Sequence, residues 1–149
     1  AQSGIRRITS EICQRTMNCS LVADDTIQAQ ARAVIEAEGF AAFRPTAPAY
    51  RYCVAGLSSE RFPAERLHML CIAEIEPPLR DVGVALFPRA KQILDGLMRG
   101  DALPPIHVEL LPEITGLHRS RTTDGFHRFH LSRAVGFSQI PAIVWLSYE

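Results

Sequence analysis

Thr123-Asp124-Gly125-Phe126-His127-Arg128-Phe129-His130 places a tight Asp-Gly turn between a basic strand and a short helix. Upstream, Leu117-His118-Arg119-Ser120-Arg121-Thr122 alternates with a period of two. His118 and Ser120 then face one side, and Leu117, Arg119 and Arg121 the other. Downstream, Leu131, Ala134 and Val135 recur at helical spacing, and Gly136 supplies a stop. Such a turn aims the unpaired amides of the first helical residues, reinforced by the helix dipole, at whatever lies in front of them. An anion is the natural occupant. Between Gly116 and Ala134 the chain carries Arg119, Arg121, Arg128 and Arg133 with His118, His127 and His130, against the single acid Asp124. Ordinary turn chemistry competes for the same residues, with Asp124 as a helix cap and the arginines as solvated surface.

At 149 residues the chain suffices for one domain with a real core, or for a compact domain of roughly 80 residues plus an appendage. Sixteen basic and sixteen acidic residues give a net charge of zero, which argues against a protein held on nucleic acid by bulk electrostatics. No apolar run approaches the ~18 residues needed to span a bilayer, and the N-terminus lacks the apolar core of a secretory signal. A cytoplasmic protein without a membrane partner is expected. Cys13, Cys19, Cys53 and Cys71 form no Cys-x-x-Cys pair, so neither a zinc ribbon nor a dithiol redox motif is present.

The two halves differ in how clearly they read. In residues 1–66, Ile5, Ile8 and Ile12 share one helical stripe. Asp24 or Asp25 caps a second helix whose apolar face is Ile27, Ala31, Val34 and Ile35, ending before Gly39. Prolines 45, 48 and 63 then interrupt regular structure, placing a boundary near Arg66 between a mostly helical N-terminal appendage and a domain over 67–149. In the second half, His68 to Ile75 reads as a strand, and Pro88 opens a helix in which Ala90, Ile93, Leu94 and Leu97 share a face before Gly100. A strand over Ile106 to Leu110, a turn through Pro112 to Gly116, the basic strand, the motif helix and a strand over Ile140 to Leu146 complete the order. This pattern predicts a small α+β domain with a mixed sheet.

Three blocks now resemble a known superfamily: Leu103-Pro104-Pro105-Ile106-His107-Val108, then Asp124-Gly125-Phe126-His127-Arg128, then Gly136-Phe137-Ser138-Gln139-Ile140-Pro141-Ala142-Ile143-Val144. In order and spacing they look like ParB/sulfiredoxin-like domains, over about half the chain. The resemblance speaks to fold far more than to activity. Sulfiredoxins carry a cysteine between the glycine and the His-Arg pair, where Phe126 stands here, so sulfiredoxin activity is not expected. Partition-type ParB proteins carry Gly-Glu-Arg-Arg at this place, bind CTP and continue into a helix-turn-helix region. Phe126 and His127 depart from that motif, and the chain ends at Glu149, so a complete partition protein is not expected. ADP-dependent free serine kinases use Asp-Gly-His-His-Arg, from which Asp124 to Arg128 differ at one position.

Carried over, the resemblance implies that Gly125, His127 and Arg128 hold nucleotide phosphates, with Arg80 as a further contact; Arg119 of the basic strand is a further candidate cation. Asp124 would sit near the transferring phosphoryl group or a Mg2+ ion, and Glu76, or Glu74, would be the candidate carboxylate base. The implied ligand is ATP, ADP or CTP, and the implied activity a nucleotide-dependent phosphotransferase. The alternative is a non-catalytic, DNA-associated or regulatory module with a DNA or protein partner, in which Arg119, Arg121 and Arg133 matter as much as Arg128. A zinc site of His118, His127 and His130 is a weaker reading, and no metal ligands are assigned. Phe126 and Phe129 serve either as base-stacking aromatics or, more commonly, as core.

Overall fold

The computed structural model describes residues 24–54, 64–78, 89–115 and 118–146. Helix α1 (24–37) is followed by a 3-10 turn (Ala64–Arg66), β1 (Leu67–Cys71), a second 3-10 turn (Ile72–Glu74) and β2 (Ile75–Glu76). Then come α2 (Arg89–Arg99), β3 (Ile106–Thr115), β4 (His118–Asp124), α3 (Phe126–Val135) and β5 (Gln139–Trp145). Helices and a five-stranded mixed sheet make this an α+β protein. The Ile5, Ile8 and Ile12 stripe and the Pro88 opening lie outside the described residues.

The sheet order is β1-β5-β3-β4-β2, with β1·β5 and β3·β4 antiparallel and β2·β4 and β3·β5 parallel. The single strand expected over His68 to Ile75 is instead two strands on opposite edges of the sheet. Cys71 pairs with Gln139 on β5, while Ile75 pairs with Ser120 on β4. Four residue steps reach at most ~14 Å at ~3.3–3.6 Å each, yet a flat five-stranded sheet would separate its edges by about 19 Å at ~4.8 Å per strand. The sheet therefore curls, and the 3-10 turn carries the chain across the gap, anchored by the Ile72 amide donating to the Ser138 carbonyl.

The expected turn through Pro112 to Gly116 does not begin at Pro112, and Gly116 lies outside the described residues. Strand β3 runs on to Thr115, and a register shift between Leu110 and Thr115 accommodates the proline, which has no amide to give the ladder. Pro141 in β5 lies opposite Met69, one residue ahead of the parallel pairing that starts at Ile106 and Ala142.

One sheet face, with Ile106, Val108, Ile140 and Ala142, belongs to a single buried cluster with Leu94 of α2 and Phe126, Phe129 and Leu131 of α3. Ile27, Ala31, Val34 and Ile35 of α1 belong to the same cluster, so this helix completes the core. The following segment is stitched in by backbone bonds: the Pro48 carbonyl accepts from Ser138 and Gln139, and Arg51 and Cys53 bond Leu103. Cys53 and Cys71 are free thiols, half-buried and exposed respectively. Among the described residues no helix is long and apolar enough to cross a membrane.

Candidate functional site

The motif turn forms where β4 ends beneath the start of α3. Gly125 caps the helix with φ 108° and ψ 36°, a backbone state that side chains disfavour. A Cβ here would lie 2.5 Å from Ile106 Cγ2, so β3 also demands a glycine. Close approach to Ile106 holds the first turn of α3 in place at the end of β4, with the positive end of the helix dipole there.

There the surface forms a cleft of about 280 Å3, walled by Glu76, Pro77 and Pro78 on one side and by Arg121 through Phe126 on the other. Period-two alternation along β4 decides what each side chain meets. Ser120 and Thr122 are buried, and Arg119, Arg121 and Thr123 are exposed. Arg121 Nε donates to Glu76 Oε2 at 3.0 Å across the parallel pair. The Thr123 hydroxyl donates to the His107 carbonyl. Thr122, only 7% exposed, keeps its hydroxyl buried with no hydrogen-bond partner among the described residues.

The expected site residues separate into two groups. Asp124, Gly125 and Glu76 line the cleft. His127 and Arg128 do not, although the motif places both next to it. His127 is 8% exposed, packed edge-on against Phe126. The Arg128 guanidinium donates to the Pro104 and Pro105 carbonyls, each at 2.8 Å, and lies 3.6 Å from Asp124 Oδ2. It thus ties α3 to the Leu103-Pro104-Pro105 segment that leads into β3. Arg119 sits outside the cleft, 4.0 Å from Glu74. Arg80 falls outside the described residues. Phe126 and Phe129 are core residues, not an exposed stacking surface.

His118, His127 and His130 do not converge: among the described residues no three His, Cys, Asp or Glu side chains gather as a metal site would require. His130 is instead buried behind the cleft wall, its Nε2 2.8 Å from the Pro78 carbonyl and its Nδ1 3.1 Å from Arg133 Nη2. Burial pushes its pKa down to about 4 against the partial offset of the Pro78 bond.

Two neighbours of the motif gave no sequence signal. His107 is the cross-strand partner of Asp124, and its Nδ1 accepts a 3.0 Å bond from Trp145 Nε1. Indole is only a donor, so neutral His107 carries its proton on Nε2. The two rings are nearly coplanar with centroids 6.2 Å apart, lying edge to edge as that bond requires, and Arg66 covers the indole. Burial lowers the His107 pKa, partly offset by the Asp124 charge. Comparison of the chain with protein-family models, with curated proteins and with solved structures found no match.

Proposed function

We propose that the cleft between Pro77-Pro78 and the Asp124-Gly125 turn binds the phosphates of a nucleotide, ATP, ADP or CTP. The observation that carries this is the buried Thr122 hydroxyl, unpartnered among the described residues, on a residue that lines the cleft at the N-terminal end of α3. A buried hydroxyl without a partner costs about 1–3 kcal/mol, a cost that a ligand oxygen would offset. A phosphate oxygen can accept from Thr122, and the positive end of the α3 dipole favours an anion there.

The electrostatics qualify the ligand. Among the described residues the cleft holds two carboxylates, Glu76 and Asp124, against one guanidinium, Arg121, which Glu76 already engages. A bare polyanion would be opposed. Mg2+ characteristically takes one or two carboxylates together with phosphate oxygens, so Asp124 and Glu76 fit a Mg2+-nucleotide better than the free anion. The ion would offset the carboxylates and neutralise phosphate charge. Arg128 would then act indirectly, by fixing the turn through Pro104 and Pro105. Phosphoryl transfer to an acceptor is the enzymatic extension of this site, with Asp124 beside the reacting phosphate.

Thermal melting with ATP, ADP, CTP and inorganic phosphate, with and without Mg2+, tests this on wild type and Thr122→Val. Saturation at 100 times the dissociation constant adds about 2.7 kcal/mol, or roughly 5–11 °C for a chain of this size. Thr122→Val should leave the unliganded melting temperature unchanged or higher and lose much of the nucleotide shift. Absence of any shift in wild type, or a full shift in the variant, would reject the proposal.

A further inference from the structure

Pro77 and Pro78 form one wall of the cleft, yet neither has an amide to fasten it, leaving only carbonyls for backbone hydrogen bonding. The Pro78 carbonyl turns inward to His130 Nε2 at 2.8 Å. Arginine is only a donor, so the 3.1 Å contact from Arg133 Nη2 requires an unprotonated Nδ1 and places the ring proton on Nε2, where it donates to Pro78. Arg133 is in turn gripped by Asp24 of α1, through Nη2 to Oδ1 at 2.7 Å and Nη1 to Oδ2 at 3.3 Å, while Gln28 donates to the same carboxylate at 2.9 Å. Each group fixes the next: the carboxylate orients the guanidinium, the guanidinium selects the tautomer, and the imidazole holds the wall. Asp24 and Arg133 are 18% and 23% exposed, so solvent competes little for the pair.

We propose that Asp24, Arg133 and His130 form a relay of positioning residues that sets the Pro77-Pro78 wall, and that α1 is thereby a working part of the binding site. The relay rests on the nucleotide-phosphate reading for its effect on affinity, though not for its effect on the wall itself. Asp24→Asn keeps the size of the side chain and removes the charge that holds Arg133. Glu38→Gln, in the same N-terminal region and paired only loosely with Lys91 at 3.9 Å, serves as the control.

The experiment uses the full chain, with Mg2+-ATP and inorganic phosphate as probes and native-state hydrogen exchange at Glu76 and Arg121 as a readout that needs no ligand. Asp24→Asn should weaken Mg2+-ATP about 5- to 20-fold and speed exchange selectively at β2 and its β4 partner, with the control unchanged in both. A variant that melts lower but keeps wild-type affinity and wild-type exchange at Glu76 overturns the relay, because a merely structural pair would behave so. Wild-type protein that binds neither probe overturns the phosphate reading alone. In that case, selective exchange at Glu76 still upholds the connection to the wall, and unchanged exchange there overturns it.

Discussion

Replacing Gly125 by alanine perturbs the turn on which the cleft is built, and Gly39→Ala separates the two parts of its cost. Both glycines have positive φ, 108° and 83°, but a Cβ at Gly39 would meet nothing within 4 Å. At Gly125 it would fall 2.5 Å from Ile106 Cγ2, 2.9 Å from Ile106 Cβ and 3.3 Å from Ile106 Cα. The left-handed backbone costs an L residue about 1–2 kcal/mol at either position. Overlap with Ile106 adds a further ~1–3 kcal/mol at Gly125, because the backbone Cα cannot rotate away as a side-chain tip could. At ~2–4 °C per kcal/mol, Gly39→Ala should lower the melting temperature by roughly 2–8 °C and Gly125→Ala by roughly 4–20 °C. Calorimetric or circular-dichroism melts of the two variants, made in parallel, measure the difference. Equal losses would show that Ile106 does not press on the turn and would refute the packing account of why a glycine stands there.

His130 is neutral in the fold, with its pKa lowered from 6.5 to about 4. The unfolded chain takes up the proton first, so stability is fully present above about pH 6.5, falls as pH drops to about 4, and by this group falls no further below; the loss is about 3 kcal/mol. His130→Gln, which offers an amide N–H to Pro78 and an oxygen to Arg133, should flatten that part of the stability profile in urea titrations, and parallel profiles would count against the assignment. Trp145→Phe removes the donor that favours neutral His107, so the His107 pKa, followed by NMR, should rise; an unchanged titration would mean the indole bond does not set the tautomer.

The helices were legible because their signals are local. The α1 stripe of Ile27, Ala31, Val34 and Ile35 is buried as its spacing requires, and Gly39, Gly100 and Gly136 all take the positive φ expected of helix-ending glycines. Alternation along β4 likewise separated Ser120 from Arg119 and Arg121, since the pleat alone assigns those faces. Gly125 and Asp124 could be placed at the cleft for the same reason: the turn is written in adjacent residues. Partners distant in the chain decided the rest. No periodicity could reveal that β1 and β2 lie on opposite edges, because that depends on how far the sheet curls. Nor could the motif show that Arg128 spends its donors on Pro104 and Pro105, that Thr122 keeps a buried hydroxyl at the cleft, or that Asp24 reaches Arg133 across 109 positions of sequence. Residue type gives a side chain its capacity to bond or ionise. Which atoms meet it in the packed interior, where water no longer competes, follows from the fold as a whole.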